Sequence, residues 1–285
     1  MTRQVALIGK PLKRRHSQVM HDAAFEAAGI DGRYVLCEID ADEVAGFVRD
    51  ARGDGWLGLG VTAPYKQVVA RLVDEVEGDA RTIGAVNNVV RTDDGRLVGF
   101  NSDAPGFRAG VELAMGRPLD GANVVVAGAG GAAHAVVFAL LTGGAKRVTV
   151  AARTVYGARA LVDRFGGVGT ADRLVAGLGS DAFRDAVATA DLAVNATTVG
   201  MIGAGMTIPV ELLPSDATVF DLVYVPPETP LLSAARARGL KAANGSEMLI
   251  QQAAIAFQRW TGVEGMADVM RAAVAPLLAD PTATA

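Results

Sequence analysis

Cysteine is almost missing from this chain. Among 285 residues Cys37 stands alone, which excludes an internal disulfide and a multi-cysteine metal site and fits a reducing cytosol. Histidine is scarce as well: His16, His21 and His134 form no matched ligand pair, so no metal is implied, and His21 reads as a helix-surface or loop-packing residue rather than a base. Excess positive charge is also lacking. With 27 Lys and Arg against 31 Asp and Glu, the formal net charge is −4, which leaves no domain-wide basic face for nucleic acid. The opening MTRQVALIGK passes from polar residues into a short strand without a signal-peptide core, so a cytoplasmic protein is expected. Residues 122–145 hold no acid or base except His134, yet their Gly and Ala content and front-loaded β-branched residues fit a buried strand and helix rather than a membrane span.

What is present is apolar bulk and glycine. The chain is 51% hydrophobic with 34 glycines, and its length allows two domains. Its organising stretch is Asn123 to Leu141, NVVVAGAGGAAHAVVFALL. Val124 to Ala127 read as a buried strand, and a small-residue helix runs from Ala132 onward. Between them lies G-x-G-x-x-A: Gly128, Ala129, Gly130, Gly131, Ala132, Ala133. Strand, glycine turn and helix in this order make a dinucleotide-binding turn, with the pyrophosphate against the helix N-terminus. Gly128 permits the tight turn, Gly130 lets backbone N–H groups approach the anion, and Ala133 takes the place of a third glycine.

Before that stretch, Val5–Gly9 reads as a strand and Lys10–Ser17 as a basic loop with Lys13, Arg14, Arg15 and His16. A helix follows to a stop at Gly29, then a strand Arg33–Ile39, a helix Ala41–Asp50 and a strand Trp56–Val61. Pro64 breaks that strand, and helical periodicity covers Gln67–Val76. A hairpin turns at Asp94-Gly95, and Pro105 and Gly106 mark a boundary before a connecting helix to Met115. Further strands are expected at Arg147–Ala151, Leu192–Ala196, Val219–Val223 and near Lys241, with helices Glu247–Trp260 and Met266–Leu278 and a frayed PTATA terminus.

Over nearly its whole length the chain resembles the shikimate dehydrogenase family. The blocks that carry the resemblance are GKPL…HSQVMH, VTAPYK at 61–66, GAVNN at 84–88, GFNSDAPGF at 99–107, VAGAGGAA at 126–133, ART at 152–154, VNATTVGM at 194–201, FDLVY at 220–224 and NGSEMLIQQA at 244–253. The resemblance implies a two-domain α/β protein: a substrate domain over 1–104, completed by helices in 247–285, and a Rossmann domain over 105–246. It implies reversible hydride transfer between a nicotinamide cofactor and a ring carbinol or ketone, shikimate and 3-dehydroshikimate, in the aromatic amino acid (chorismate) pathway. Ligands would lie in a cleft between domains.

Lys66 opens a helix, where its charge opposes the dipole and its placement needs another reason. The resemblance makes it the catalytic lysine, able to steady a developing alkoxide and donate a proton. Asp103, otherwise read as a helix cap, matches its carboxylate partner. Thr62, Asn87, Tyr224 and Gln252 match substrate ligands; Gln252 shares a helix face with Met248, Ile255 and Ala256. On the cofactor side the matches are Gly128, Ala129, Gly130, Gly131, Ala132, Arg153, Thr154, Asn195, Thr197, Leu222 and Gly245.

The departures concern specificity. The family usually carries two hydroxyl residues in the first loop to hold the substrate carboxylate. Here Ser17 matches the second, Arg15 stands at the first, and Gln18 replaces a Pro. Arg15 either offers a bidentate fork to an acid group or points to solvent with Arg14; the sequence leaves both open. Gly60 replaces a frequent Asn, and Asn88 stands where Thr is common. After Val150-Ala151-Ala152 come Arg153 and Thr154, with no acid until Asp163, so NADP is the expected cofactor and NAD the alternative. A divergent enzyme acting on quinate, aminoshikimate or another cyclic hydroxy acid is the alternative function, and a non-catalytic NADP-binding regulator a second. Monomer and homodimer both remain open.

Overall fold

A computed structural model describes residues 2–12 and 14–279; Lys13 of the basic loop and the terminal PTATA lie outside the described residues. The chain divides into two compact units, one running up to Ser102 and resuming at Ile250, the other spanning Asp103–Leu249.

The first unit opens with β1 (Arg3–Gly9), α1 (His16–Ala27), β2 (Gly32–Glu38), α2 (Val44–Asp50) and β3 (Trp56–Val61). There follow α3 (Lys66–Val69), β4 (Glu75–Val76), α4 (Gly78–Ile83), β5 (Asn88–Arg91) and β6 (Leu97–Phe100). They build a six-stranded sheet in the order β2-β1-β3-β5-β6-β4. Strands β1, β2 and β3 pair in parallel, while β5 runs antiparallel to β3 and β6. One face packs Ala6, Ile8, Leu59, Val61 and Val89 against Val44, Val48 and Val69 of the short helices. Two expectations change here. Ser17 lies inside α1 rather than in a loop, because the helix begins at His16. The periodic run after Pro64 yields only the four-residue α3, since Glu75–Val76 leave the helix to pair in parallel with Val98–Gly99 of β6.

The second unit contains α5 (Asp103–Met115), β7 (Asn123–Ala127), α6 (Gly131–Thr142), β8 (Arg147–Ala152), α7 (Val155–Arg164) and β9 (Asp172–Gly177). It continues through α8 (Asp181–Ala188), β10 (Leu192–Asn195), β11 (Thr218–Asp221), α9 (Pro230–Ala237) and β12 (Lys241–Asn244). All six strands are parallel, in the order β12-β11-β10-β7-β8-β9. This is the doubly wound order of a dinucleotide-binding sheet, with its reversal between β7 and β10. Val124, Val125, Val126 and Ala127 are fully or almost fully buried, as a central parallel strand requires. Pro105 and Gly106 fall within α5 rather than before it; a first-turn proline gives up an N–H that has no helical partner there.

After α10 (Ser246–Thr261) the chain ends with α11 (Ala267–Ala279), and α11 packs on α1 within the first unit. Trp260 at the end of α10 donates Nε1–H to Val89 O at 2.9 Å. Gly58 makes that approach feasible, because a Cβ there would fall 1.9 Å from the same carbonyl oxygen and 2.8 Å from the indole nitrogen. His21 is a core residue, where a helix-surface or loop-packing position was expected. Its ring stacks on Tyr34 at 4.4 Å between centroids and lies 5.1 Å from that of Trp260. Among the described residues no helix is long and apolar enough to cross a membrane.

Candidate active site

In the second unit the cofactor candidates gather at the carboxyl ends of the parallel strands, where ligands of such sheets bind. Gly128 leaves β7 with φ +118°, and a Cβ on it would sit 2.8 Å from Ala196 O and 2.9 Å from Thr197 Cγ2. Only glycine satisfies both the backbone angle and the close approach of the loop after β10. Gly130 and Gly131 are different: both are exposed, and a Cβ on either would meet nothing within 4 Å. They head the twelve-residue α6, which no side chain caps. Exposed glycine backbone before an uncapped helix N-terminus, with Ala132 beside it, suits an anionic pyrophosphate.

At the end of β8, Arg153 and Thr154 are exposed. Thr154 caps α7, its Oγ1 accepting from Gly157 N at 3.4 Å, while its own hydroxyl proton is left to donate. An exposed guanidinium with no carboxylate at the strand end suits a 2′-phosphate and offers nothing to a 2′-hydroxyl. The residues present thus fit NADP.

Asn195, at the end of β10, is fully engaged inside the protein. Its Nδ2 donates to Asp221 Oδ1 at 2.8 Å and to Val199 O at 3.1 Å. Its Oδ1 accepts from Thr197 Oγ1 at 2.7 Å, Thr197 N at 3.2 Å and Thr207 Oγ1 at 3.2 Å. Asp221, fully buried at the end of β11, also accepts from Val223 N at 3.0 Å and Thr229 Oγ1 at 2.7 Å. Burial pushes its carboxyl above the usual carboxylate range against the pull of these donors. Leu222 and Gly245 adjoin: a Cβ on Gly245 would lie 2.4 Å from Leu222 O. Tyr224 is half-buried in the loop that follows.

In the first unit the substrate candidates form a polar cluster in an apolar setting. Asn87 is buried and donates Nδ2–H to Ser102 Oγ at 3.1 Å and to Gln252 Oε1 at 3.3 Å. Asn88 donates to Asn87 Oδ1 and to Ser102 Oγ, at 2.9 and 2.8 Å. Thr62 is held by its backbone, with N donating to Ile8 O and O accepting from Tyr65 N, both at 2.9 Å. Lys66 is the first residue of α3, and its carbonyl accepts from Val86 N at 3.0 Å, tying the helix start to the segment that carries Asn87. Asp103, which opens the second unit as the first residue of α5, is buried. Arg15 is exposed at the head of α1, with Nε donating to Gln18 Oε1 at 3.2 Å; half-buried Ser17 follows in the first turn.

Sequence reading singled out neither Ser102 nor Asp221 nor Thr229. Ser102 and Asp221 each sit beside a residue chosen for other reasons, Asp103 and Leu222, and their burial was the missing signal.

Comparison with known proteins places these features. The model described as the shikimate dehydrogenase substrate binding domain matches residues 7–89, that of shikimate / quinate 5-dehydrogenase residues 112–199, and that of the shikimate 5'-dehydrogenase C-terminal domain residues 245–275. The shikimate dehydrogenase (NADP(+)) of Methanopyrus kandleri is 40% identical over 277 residues, covering 96% of this chain and 95% of that protein. The shikimate 5-dehydrogenase from Thermus thermophilus, solved in complex with NADP(H) and shikimate, superposes with a TM-score of 0.84 at 36% identity over 96% of this chain and 99% of that one. A quinate dehydrogenase from Corynebacterium glutamicum in complex with NAD superposes with a TM-score of 0.89, also at 36% identity, over 96% and 99%.

Proposed function

This chain belongs to the shikimate dehydrogenase family, and from that premise we propose that it is a cytoplasmic, NADP-dependent oxidoreductase interconverting shikimate and 3-dehydroshikimate. One observation carries the choice of a polyhydroxylated ring acid over other carbonyl compounds. The Asn87 and Gln252 amides are brought together beside the buried polar side chains of Asn88 and Ser102, and such groups repay their burial only with hydrogen-bonding partners.

NADP would be held by Gly130, Gly131 and Ala132 at its pyrophosphate, by Arg153 and Thr154 at its 2′-phosphate, and beside Thr197, Leu222 and Gly245 toward the nicotinamide. When bound, the nicotinamide supplies or takes up the hydride. Asn195 acts at one remove, because its side-chain donors are spent on Asp221 and Val199. The substrate is held by Thr62, Asn87, Gln252, Tyr224 and Ser17. Lys66 stands beside the reacting oxygen: in reduction its ammonium steadies the developing alkoxide and releases a proton to it from Nζ, and in oxidation the neutral amine takes that proton back. Asp103 is the second member of the proposed acid–base pair.

A second reading is favoured by Arg15, which stands where a hydroxyl residue is usual. The exposed guanidinium has room to take the acid group of quinate or another cyclic hydroxy acid. The test is kcat/KM for shikimate, quinate and aminoshikimate with NADP, in the wild type and Arg15→Ser. Highest efficiency on shikimate supports the first reading. A preference for quinate that disappears in Arg15→Ser supports the second.

A further inference from the structure

We propose that Asn88 is a positioning residue: together with Ser102 it locks the Asn87 amide so that Asn87 meets the substrate as a hydrogen-bond donor. The inference rests on the reading of Asn87 and Gln252 as substrate ligands.

Two departures noted in the sequence, Gly60 and Asn88, are cross-strand partners in the antiparallel pair β3·β5. Residues directly opposite in such a pair share one face of the sheet. A side chain at position 60 would have to displace the Tyr34 phenol, because a Cβ there would lie 2.5 Å from Tyr34 Oη and 3.2 Å from Leu7 Cδ1. The Tyr34 phenol fills that space, and the amide on this face stands at 88 instead.

Its hydrogen bonds decide what Asn87 can do. Asn87 Oδ1 accepts from Asn88 Nδ2 at 2.9 Å and from Ser102 N at 2.8 Å, so both of its lone pairs are used. Turning the amide by half a revolution would set its N–H groups against the fixed backbone N–H of Ser102 and against the Asn88 side-chain amide as it now stands. Asn87, Asn88 and Ser102 are all buried, so such a clash would leave donors without acceptors at full cost. Nδ2 is therefore fixed outward, toward Ser102 Oγ and Gln252 Oε1. Because Gln252 Oε1 accepts, its Nε2 is left facing the other way as a donor. The Gln252 Nε2 is thus a donor, and the Asn87 N–H that reaches Gln252 Oε1 at 3.3 Å is the one a ligand oxygen would take over, so the matching ligand surface is a set of oxygen lone pairs from hydroxyl, carbonyl or carboxylate groups.

Steady-state kinetics of Asn88→Ala, Asn88→Asp and Asn88→Thr test this. Asn88→Asp keeps the shape and loses the donor, whereas the threonine hydroxyl can still donate to Asn87 Oδ1. We expect KM for the cyclic acid to rise about tenfold in Asn88→Ala and Asn88→Asp, with kcat and KM for NADP within about threefold of wild type, and Asn88→Thr to recover most of the loss. A wild-type KM in Asn88→Asp, or parallel losses in kcat and in both KM values, would overturn the proposal. A readout independent of turnover is the Asn87 side-chain amide pair in NMR spectra. Protons protected from exchange in wild type and fast-exchanging in Asn88→Ala support the lock, and equal exchange in both refutes it. If the wild type oxidises none of the three cyclic acids, the functional reading fails and the NMR comparison alone decides the role of Asn88.

Discussion

Asn195 at the end of β10 donates to Asp221 at the end of β11 across 2.8 Å, at paired positions of neighbouring strands. Through Val223 N and Thr229 Oγ1 the same carboxylate also holds the loop after β11. One buried group therefore ties together the two loops that border the proposed nicotinamide position. Asp221→Ala leaves the buried donors of Asn195 and Thr229 unpaired. It should lower the unfolding free energy by about 2–4 kcal/mol, measured by urea titration, and raise KM for NADP. Unchanged stability would show that the carboxylate is no tie.

The glycine turn separates folding from binding. Gly128→Ala meets both a positive φ and contacts under 3 Å, so it should destabilise the free protein by more than about 2 kcal/mol. Gly130→Ala faces open space at φ −82°, so the free protein should keep its stability within about 0.5 kcal/mol. Its added methyl should nonetheless obstruct the pyrophosphate and weaken NADP binding, measured by titration calorimetry. Equal NADP affinity in Gly130→Ala and wild type would remove the anion from this turn.

Arg153 should set the choice of cofactor. Arg153→Ala is expected to raise KM for NADP about tenfold or more and to leave KM for NAD nearly unchanged, since only the phosphorylated ribose meets the guanidinium. Thr154, which caps α7, stays intact in this variant, so a general loss of stability is not expected. A wild type with equal kcat/KM on both cofactors would contradict this assignment.

His21 gives the fold a pH dependence. Burial among Tyr34, Phe257 and Trp260 pushes its imidazole down from 6.5 to about 3, so the folded state binds fewer protons there than the unfolded chain. That contribution is complete above the unfolded value and is lost as pH falls from 6.5 toward 3. At pH 5 the loss is roughly 2 kcal/mol relative to pH 7.5. Denaturant unfolding at the two pH values should show a stability difference in the wild type that is smaller by about this amount in His21→Phe. The same pH dependence in both proteins would assign it to other groups.

These predictions divide according to what was legible in the sequence. Trp56–Val61 was readable to the residue, because an apolar run lies between Gly55 and Pro64. The glycine turn was readable because its chemistry is local. Strand β9 escaped notice: DRLVAG has two charges and a mostly part-exposed pattern, as an edge strand does. The helix after Lys66 was overextended because QVVARLVDEV has helical periodicity, and only its pairing with β6 shows where the helix stops. His21 was misplaced because its neighbours come from β2 and from α10, far along the chain. The Asp221 tie and the Asn88 lock were hidden for the same reason. Each joins residues whose proximity only the sheet register supplies.

The central claim is that Lys66 carries the proton in an NADP-dependent oxidation of shikimate, and the most direct test is steady-state turnover by the wild type and Lys66→Ala side by side. The account predicts robust reduction of NADP by the wild type and a fall in kcat of about 10²–10⁴-fold in Lys66→Ala, with KM for shikimate changed far less. Turnover by Lys66→Ala close to that of the wild type would contradict it.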